Sequence, residues 1–123
     1  MKRSYLLLST LVVFITSCVH EPFTNPTIIV SNDTNYFQIG DTIQIDITMS
    51  DIDGLHEAFI YVKDTATTFF SYSPIVHDLP SFTVDTFWVV NGISSPKFPF
   101  LTTIASDHYQ GTTTINIQLV LTP

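Results

Sequence analysis

The chain has 123 residues, with four Lys and Arg against eleven Asp and Glu, a formal net charge of −7, and 45% hydrophobic residues. So acidic a surface repels phosphate backbones and excludes nucleic acid as a partner, and the 13% aromatic content with only 12% charged residues excludes a disordered chain. A single cysteine, Cys18, rules out any intramolecular disulfide, so a core of side chains must hold the fold.

Residues 1–17 have the layout of an export signal. Lys2 and Arg3 supply a basic start, and the stretch from Ser4 to Thr16, rich in Leu, Val, Ile and Phe, supplies an apolar core. That core is shorter than the roughly 20 apolar residues a membrane-spanning helix needs. Ile15-Thr16-Ser17-Cys18 resembles the lipobox cut by the lipoprotein signal peptidase: an aliphatic residue, two small ones, then cysteine. The resemblance implies cleavage after Ser17 and acylation of Cys18 with several lipid chains, which anchor durably where a single chain binds reversibly. The expected product is a lipid-anchored protein of the cell envelope, at the outer membrane, with 106 residues left after the first 17 are removed from 123. Its charge is carried by Lys63 and Lys97 against all eleven carboxylates, 2 − 11 = −9.

Residues 18–26 hold Pro22 and Pro26 and no periodic pattern, and read as a tether. The domain expected over 27–123 is all-β. β-branched residues, Phe and Thr dominate it, and these suit a pleated, half-buried surface. A first strand is predicted from Thr27 to Val30, followed by a polar run, Ser31 to Asn35, and a Gly40-Asp41 turn. Thr42 to Met49 alternates polar and apolar without an error, so Ile43, Ile45 and Ile47 should share a buried face and Gln44, Asp46 and Thr48 a wet one. Ser50-Asp51-Ile52-Asp53-Gly54 breaks that strand. Further strands are predicted over Leu55–Val62, Phe69–Tyr72, Phe82–Val90, Phe100–Ile104 and, to close the domain, Thr113–Leu121. About seven short strands at even spacing predict an antiparallel immunoglobulin-like β-sandwich. Trp88 falls too late in the chain for the hallmark tryptophan of antibody domains.

Residues 38–63, with a Gly40-Asp41 strand entry and an Asp51-x-x-Gly54-Leu55 turn, resemble bacterial surface immunoglobulin-like domains, as does the late turn Ala105-Ser106-Asp107-His108-Tyr109-Gln110-Gly111. With the lipobox, the chain resembles short Bacteroidota lipoproteins whose immunoglobulin-like domain carries no assigned function. It departs from their pattern at His108-Tyr109-Gln110, where short polar residues are usual.

Three carboxylates form the leading candidate site. In such a sandwich the turn with Asp51 and Asp53 and the turn with Asp107 lie at one pole, and hard oxygen ligands in number suit Ca²⁺. The competing role for the same residues is turn capping, in which Asp bonds its own backbone. Of the histidines His20, His56, His77 and His108, His56 and His108 flank these turns and have the chance to approach each other; no His or Cys pair has zinc-motif spacing, and a satisfied or solvent-facing side chain is the expected state of each. The aromatics Phe69, Phe70, Tyr72, Phe82, Phe87, Trp88, Phe98, Phe100 and Tyr109 can line a carbohydrate or peptide groove, but such rings more often fill the core of a disulfide-free domain, and in the adjacent pairs Phe69-Phe70 and Phe87-Trp88 one member can face outward. No nucleophile elbow, phosphate loop or zinc-protease signature is present. The sequence therefore points to a non-catalytic binding or structural module for a protein or glycan partner, with calcium binding at Asp51, Asp53 and Asp107 as the alternative.

Overall fold

The structure is a computed structural model and describes residues 23–32 and 34–123; the signal segment, Cys18 and His20 lie outside the described residues. The described chain is all-β, with nine strands in three sheets and no helix. In chain order they are β1 (Thr27–Val30), β2 (Tyr36–Gln38), β3 (Thr42–Ser50), β4 (Leu55–Lys63), β5 (Thr68–Tyr72), β6 (Ser81–Val89), β7 (Phe100–Asp107), β8 (Thr112–Gln118) and β9 (Val120–Thr122).

One sheet has the order β1-β3-β6 and a second the order β5-β4-β7-β8, both antiparallel throughout. A two-stranded parallel sheet, β2-β9, is the third. The two larger sheets supply one core. Ile43, Ile45, Ile47 and Met49 of β3, Ala58, Ile60 and Val62 of β4, and Leu101 and Ala105 of β7 are all buried. The alternation read from Thr42 to Met49 is what the structure holds: the three isoleucines are fully buried, and Gln44, Asp46 and Thr48 point the other way. Burying each such side chain contributes about 1.5–3 kcal/mol, and in the absence of a disulfide this layer is the main source of stability.

Two features differ from the sequence reading. The first is strand number. Tyr36–Gln38 was expected to be a connection; it forms β2 by pairing in parallel with β9, a partner more than 80 residues away that local pattern does not reveal. The expected strand Thr113–Leu121 is interrupted at Leu119, whose N–H donates to Pro99 O, so that the chain leaves β7 and continues against Lys97 and β2. The second is the core's chemistry, which is aliphatic apart from Phe37. Of the nine aromatics weighed for the core, Phe69, Phe70, Phe82 and Trp88 pack partly buried against it, whereas Tyr72, Phe98, Phe100 and Tyr109 are exposed, as is Phe87, the outward member of its pair with Trp88. The β-branched side chains already fill the space between the sheets, and the rings are left to its rim and outer faces.

Register fixes two ends. Leu55 lies opposite Asp107 and Thr27 opposite Ser50, so the β3–β4 turn, the β7–β8 turn and the incoming chain share one pole. Lys63 lies opposite Phe100 and marks the other. Residues 23–26, expected to be tether, are held at the first pole: Phe23 stacks on Tyr109 with ring centroids 3.8 Å apart, and the Thr113 hydroxyl donates to Pro26 O at 2.5 Å.

Candidate functional site

At the entry pole, three histidines from three separate segments converge. β4 opens with a β-bulge: Leu55 pairs with Asp107 and Glu57 with Ser106, which leaves His56 as the extra, unpaired residue. A bulge of this kind re-aims its side chain, and here it turns the ring of His56 toward the pole. The loop between β5 and β6 is clamped to the same point, because Asp78 N–H donates to Leu55 O and Leu55 N–H donates to Leu79 O, both at 2.8 Å. Gly54, at φ +92°, brings the β3–β4 turn against the Asp78 backbone, a path that favours glycine. Asp78 itself sits at φ +64°, in the left-handed region, where Asp is among the few tolerated side chains. His77 and Asp78 are thereby set beside His56, and the β7–β8 turn adds His108.

The geometry of the group is close. His56 Nδ1 and His77 Nδ1 are 3.3 Å apart, and His108 Nε2 is 2.7 Å from Asp78 Oδ1. His77 Nε2 lies 3.5 Å from the other oxygen, Asp78 Oδ2. The ring centroids are 5.2 Å apart for His56–His77, 4.7 Å for His56–His108 and 4.8 Å for His77–His108. One nitrogen from each ring lies within 4.8 Å of the others. Among the described residues this is the group of metal-ligating side chains that converges. Asp78 Oδ1 is hydrogen-bonded to His108 Nε2, while its Oδ2 lies beside His77 Nε2 without a hydrogen bond.

The three sequence-selected carboxylates lie at the same pole, engaged with their own turns. Asp51 Oδ1 accepts from Asp53 N–H at 2.7 Å. Asp107 Oδ1 accepts from Tyr109 N–H at 2.7 Å and Gly111 N–H at 2.8 Å. Asp51 and Asp107 are buried and Asp53 is exposed. Asp51 Oδ2 is buried with no hydrogen-bond partner. A side chain at Gly111 would collide with the Asp107 carboxylate and with Asn25 Oδ1, so the closeness of this turn to the incoming chain requires glycine.

A second feature occupies the opposite pole. An open groove of ≈ 680 Å³ lies on the outer face of the four-stranded sheet, with Tyr61, Phe98 and Phe100 as its aromatic walls and Lys63, Lys97 and Asn116 among its polar groups. Lys63 Nζ stands 5.0 Å from the Tyr61 ring centroid, a cation–π distance. Asp64 accepts from Ala66 N–H and Thr67 N–H, which hold its carboxyl below the usual range, with Lys97 adding to the effect. The only two lysines after residue 3 thus line one groove of a strongly acidic chain.

Sequence reasoning noted that His56 and His108 approach the same turns but expected each to be a satisfied or solvent-facing histidine, raised an aromatic groove without its place or its lysines, and missed the part of His77 and Asp78. His77 lies about twenty positions from His56 and about thirty from His108, and its placement depends on loop clamping and on a bulge, neither of which has a periodic signature. The groove had one available signal: Lys63 and Lys97 are the last two cations, and Lys97 adjoins an aromatic pair around Pro99. Comparison with protein-family models and with curated proteins finds no match for this chain.

Proposed function

We propose that the chain is an exported cell-envelope lipoprotein, anchored through lipid on Cys18, whose domain is a non-catalytic binding module of immunoglobulin-like β-sandwich form. Several observations support the fold assignment. The order β1-β3-β6 against β5-β4-β7-β8, with a short parallel pairing between an early strand and the last one, matches the two-sheet layout of such domains. A shared aliphatic core between the two larger sheets suits a sandwich.

The groove carries the functional reading. Exposed rings and two ammonium groups on one sheet face suit a segment of a protein or glycan chain, with its apolar parts on Tyr61, Phe98 and Phe100 and an acidic group at Lys63 and Lys97. The groove lies at the pole opposite the incoming chain. Because Phe23 is docked on Tyr109, only the five steps from Cys18 to Phe23 separate lipid from domain, a reach of about 18 Å at full extension. Anchoring in this way directs the groove away from the bilayer. The test is a glycan array and peptide-display selection performed with the wild-type domain and with a Tyr61→Ala, Phe100→Ala double variant. Ligands that the double variant loses and a His77→Ala variant keeps are the expected result. Ligands bound equally by the double variant would move the binding surface elsewhere.

A second reading, Ca²⁺ at Asp51, Asp53 and Asp107, is favoured by the buried, unpartnered Asp51 Oδ2 at that pole. Melting with calcium and with chelator tests it. An unchanged melting temperature removes it, because an ion at a hundred times its Kd stabilises by about 2.7 kcal/mol.

A further inference from the structure

We propose that His56, His77 and His108 bind one divalent transition-metal ion of the zinc class, with Asp78 as the carboxylate that orients the His108 ring. The donor chemistry selects the metal: three imidazole nitrogens suit Zn²⁺ and its neighbours, whereas Ca²⁺ takes oxygen. The spacing matches as well. Zinc–nitrogen bonds of about 2.0–2.1 Å in a tetrahedron put neighbouring ligand atoms about 3.3–3.4 Å apart, and His56 Nδ1 and His77 Nδ1 already stand at 3.3 Å. One ring nitrogen of His108 lies within 4.8 Å of a ring nitrogen of each of the other two, and small side-chain adjustments at this exposed rim close the remaining distance.

The outer shell is already in place. Protein-bound metals favour histidines whose distal N–H donates to a carboxylate, because this fixes the tautomer and raises the ligand's basicity. Asp78 Oδ1 stands in this place for His108, hydrogen-bonded to its Nε2, and Asp78 Oδ2 lies 3.5 Å from His77 Nε2. Local backbone features that are unfavourable by themselves build the arrangement: a bulge that releases His56 from the ladder and a left-handed Asp78. Such features persist where the surroundings hold them and cluster at functional sites. Three protein ligands leave the fourth tetrahedral position open to water or to a group from a partner, and the side-chain exposure of 56% at His77 and 30% at His108 lets an ion enter from solvent.

The test uses the acylated protein in detergent micelles, so that the Cys18 thiol is blocked, and titrates ZnCl₂ by calorimetry with CaCl₂ as a parallel arm. One Zn²⁺ per chain is expected, with a raised melting temperature and Zn²⁺-dependent shifts of imidazole Nδ1 resonances. His77→Ala and His108→Ala should each weaken binding at least tenfold. Asp78→Asn should weaken it about 10–100-fold and change the tautomer of His108 in the nitrogen spectrum, which a merely structural loss would not do. The triple variant His56→Ala, His77→Ala, His108→Ala keeps His20 and should remain folded by circular dichroism yet bind no Zn²⁺. Stoichiometric binding retained by that folded triple variant, or no binding to the wild-type protein, would overturn the proposal.

Discussion

Ile45→Ala probes the layer that holds this domain together. Ile45 is fully buried at the middle of β3, with Ile43 and Ile47, also fully buried, on the same face, and it lies opposite Thr86 of β6. The substitution removes three carbons, about 0.8 kcal/mol each by transfer, or about 2.4 kcal/mol in all. A cavity among packed aliphatic side chains adds to this, within the range of about 2–5 kcal/mol measured for such truncations. Typical domains have about 5–15 kcal/mol of stability, and this one has no disulfide to fall back on. With a urea m-value of about 1–3 kcal/mol/M, the unfolding midpoint should fall by roughly 1 M or more. The neighbour on the other face serves as a control. Asp46 lies opposite Asp85, so two like charges face each other across the strand pair, and Asp46→Thr should raise stability by about 0.2–1 kcal/mol. A midpoint for Ile45→Ala within scatter of wild type would refute the face assignment, as would a loss at Asp46 equal to that at Ile45.

The hydroxyl of Thr103 is fully buried and has no hydrogen-bond partner. Thr103→Val keeps the shape, removes the stranded group and should stabilise the domain by about 1–3 kcal/mol; a lower midpoint in urea would mean that the hydroxyl is satisfied in solution. Cys18→Ser should leave an unprocessed precursor or a form that no longer partitions into detergent, and normal processing with unchanged membrane association would remove the lipid anchor from the proposed function.

The sequence by itself determined the all-β class and the inner face of β3, because a period of two records which side of a strand meets solvent. It also marked the turns: Gly54 and Asp51, and Gly111 with Asp107, carry conformational and hydrogen-bonding requirements that are local to a few residues. What depends on distant partners was decided by the tertiary structure alone. β2 exists only through β9. The exposed positions of Phe98, Phe100 and Tyr109 follow from a core that β-branched residues had already filled, a competition for volume that composition does not reveal. The histidine cluster is the clearest case. His56 reaches the pole because one extra residue interrupts a ladder, and His77 reaches it because two backbone hydrogen bonds to Leu55 tie down a loop. Neither cause leaves a mark in spacing, since the three rings meet across chain separations of about twenty to fifty residues that only the packing of β4, β7 and the β5–β6 loop brings to zero.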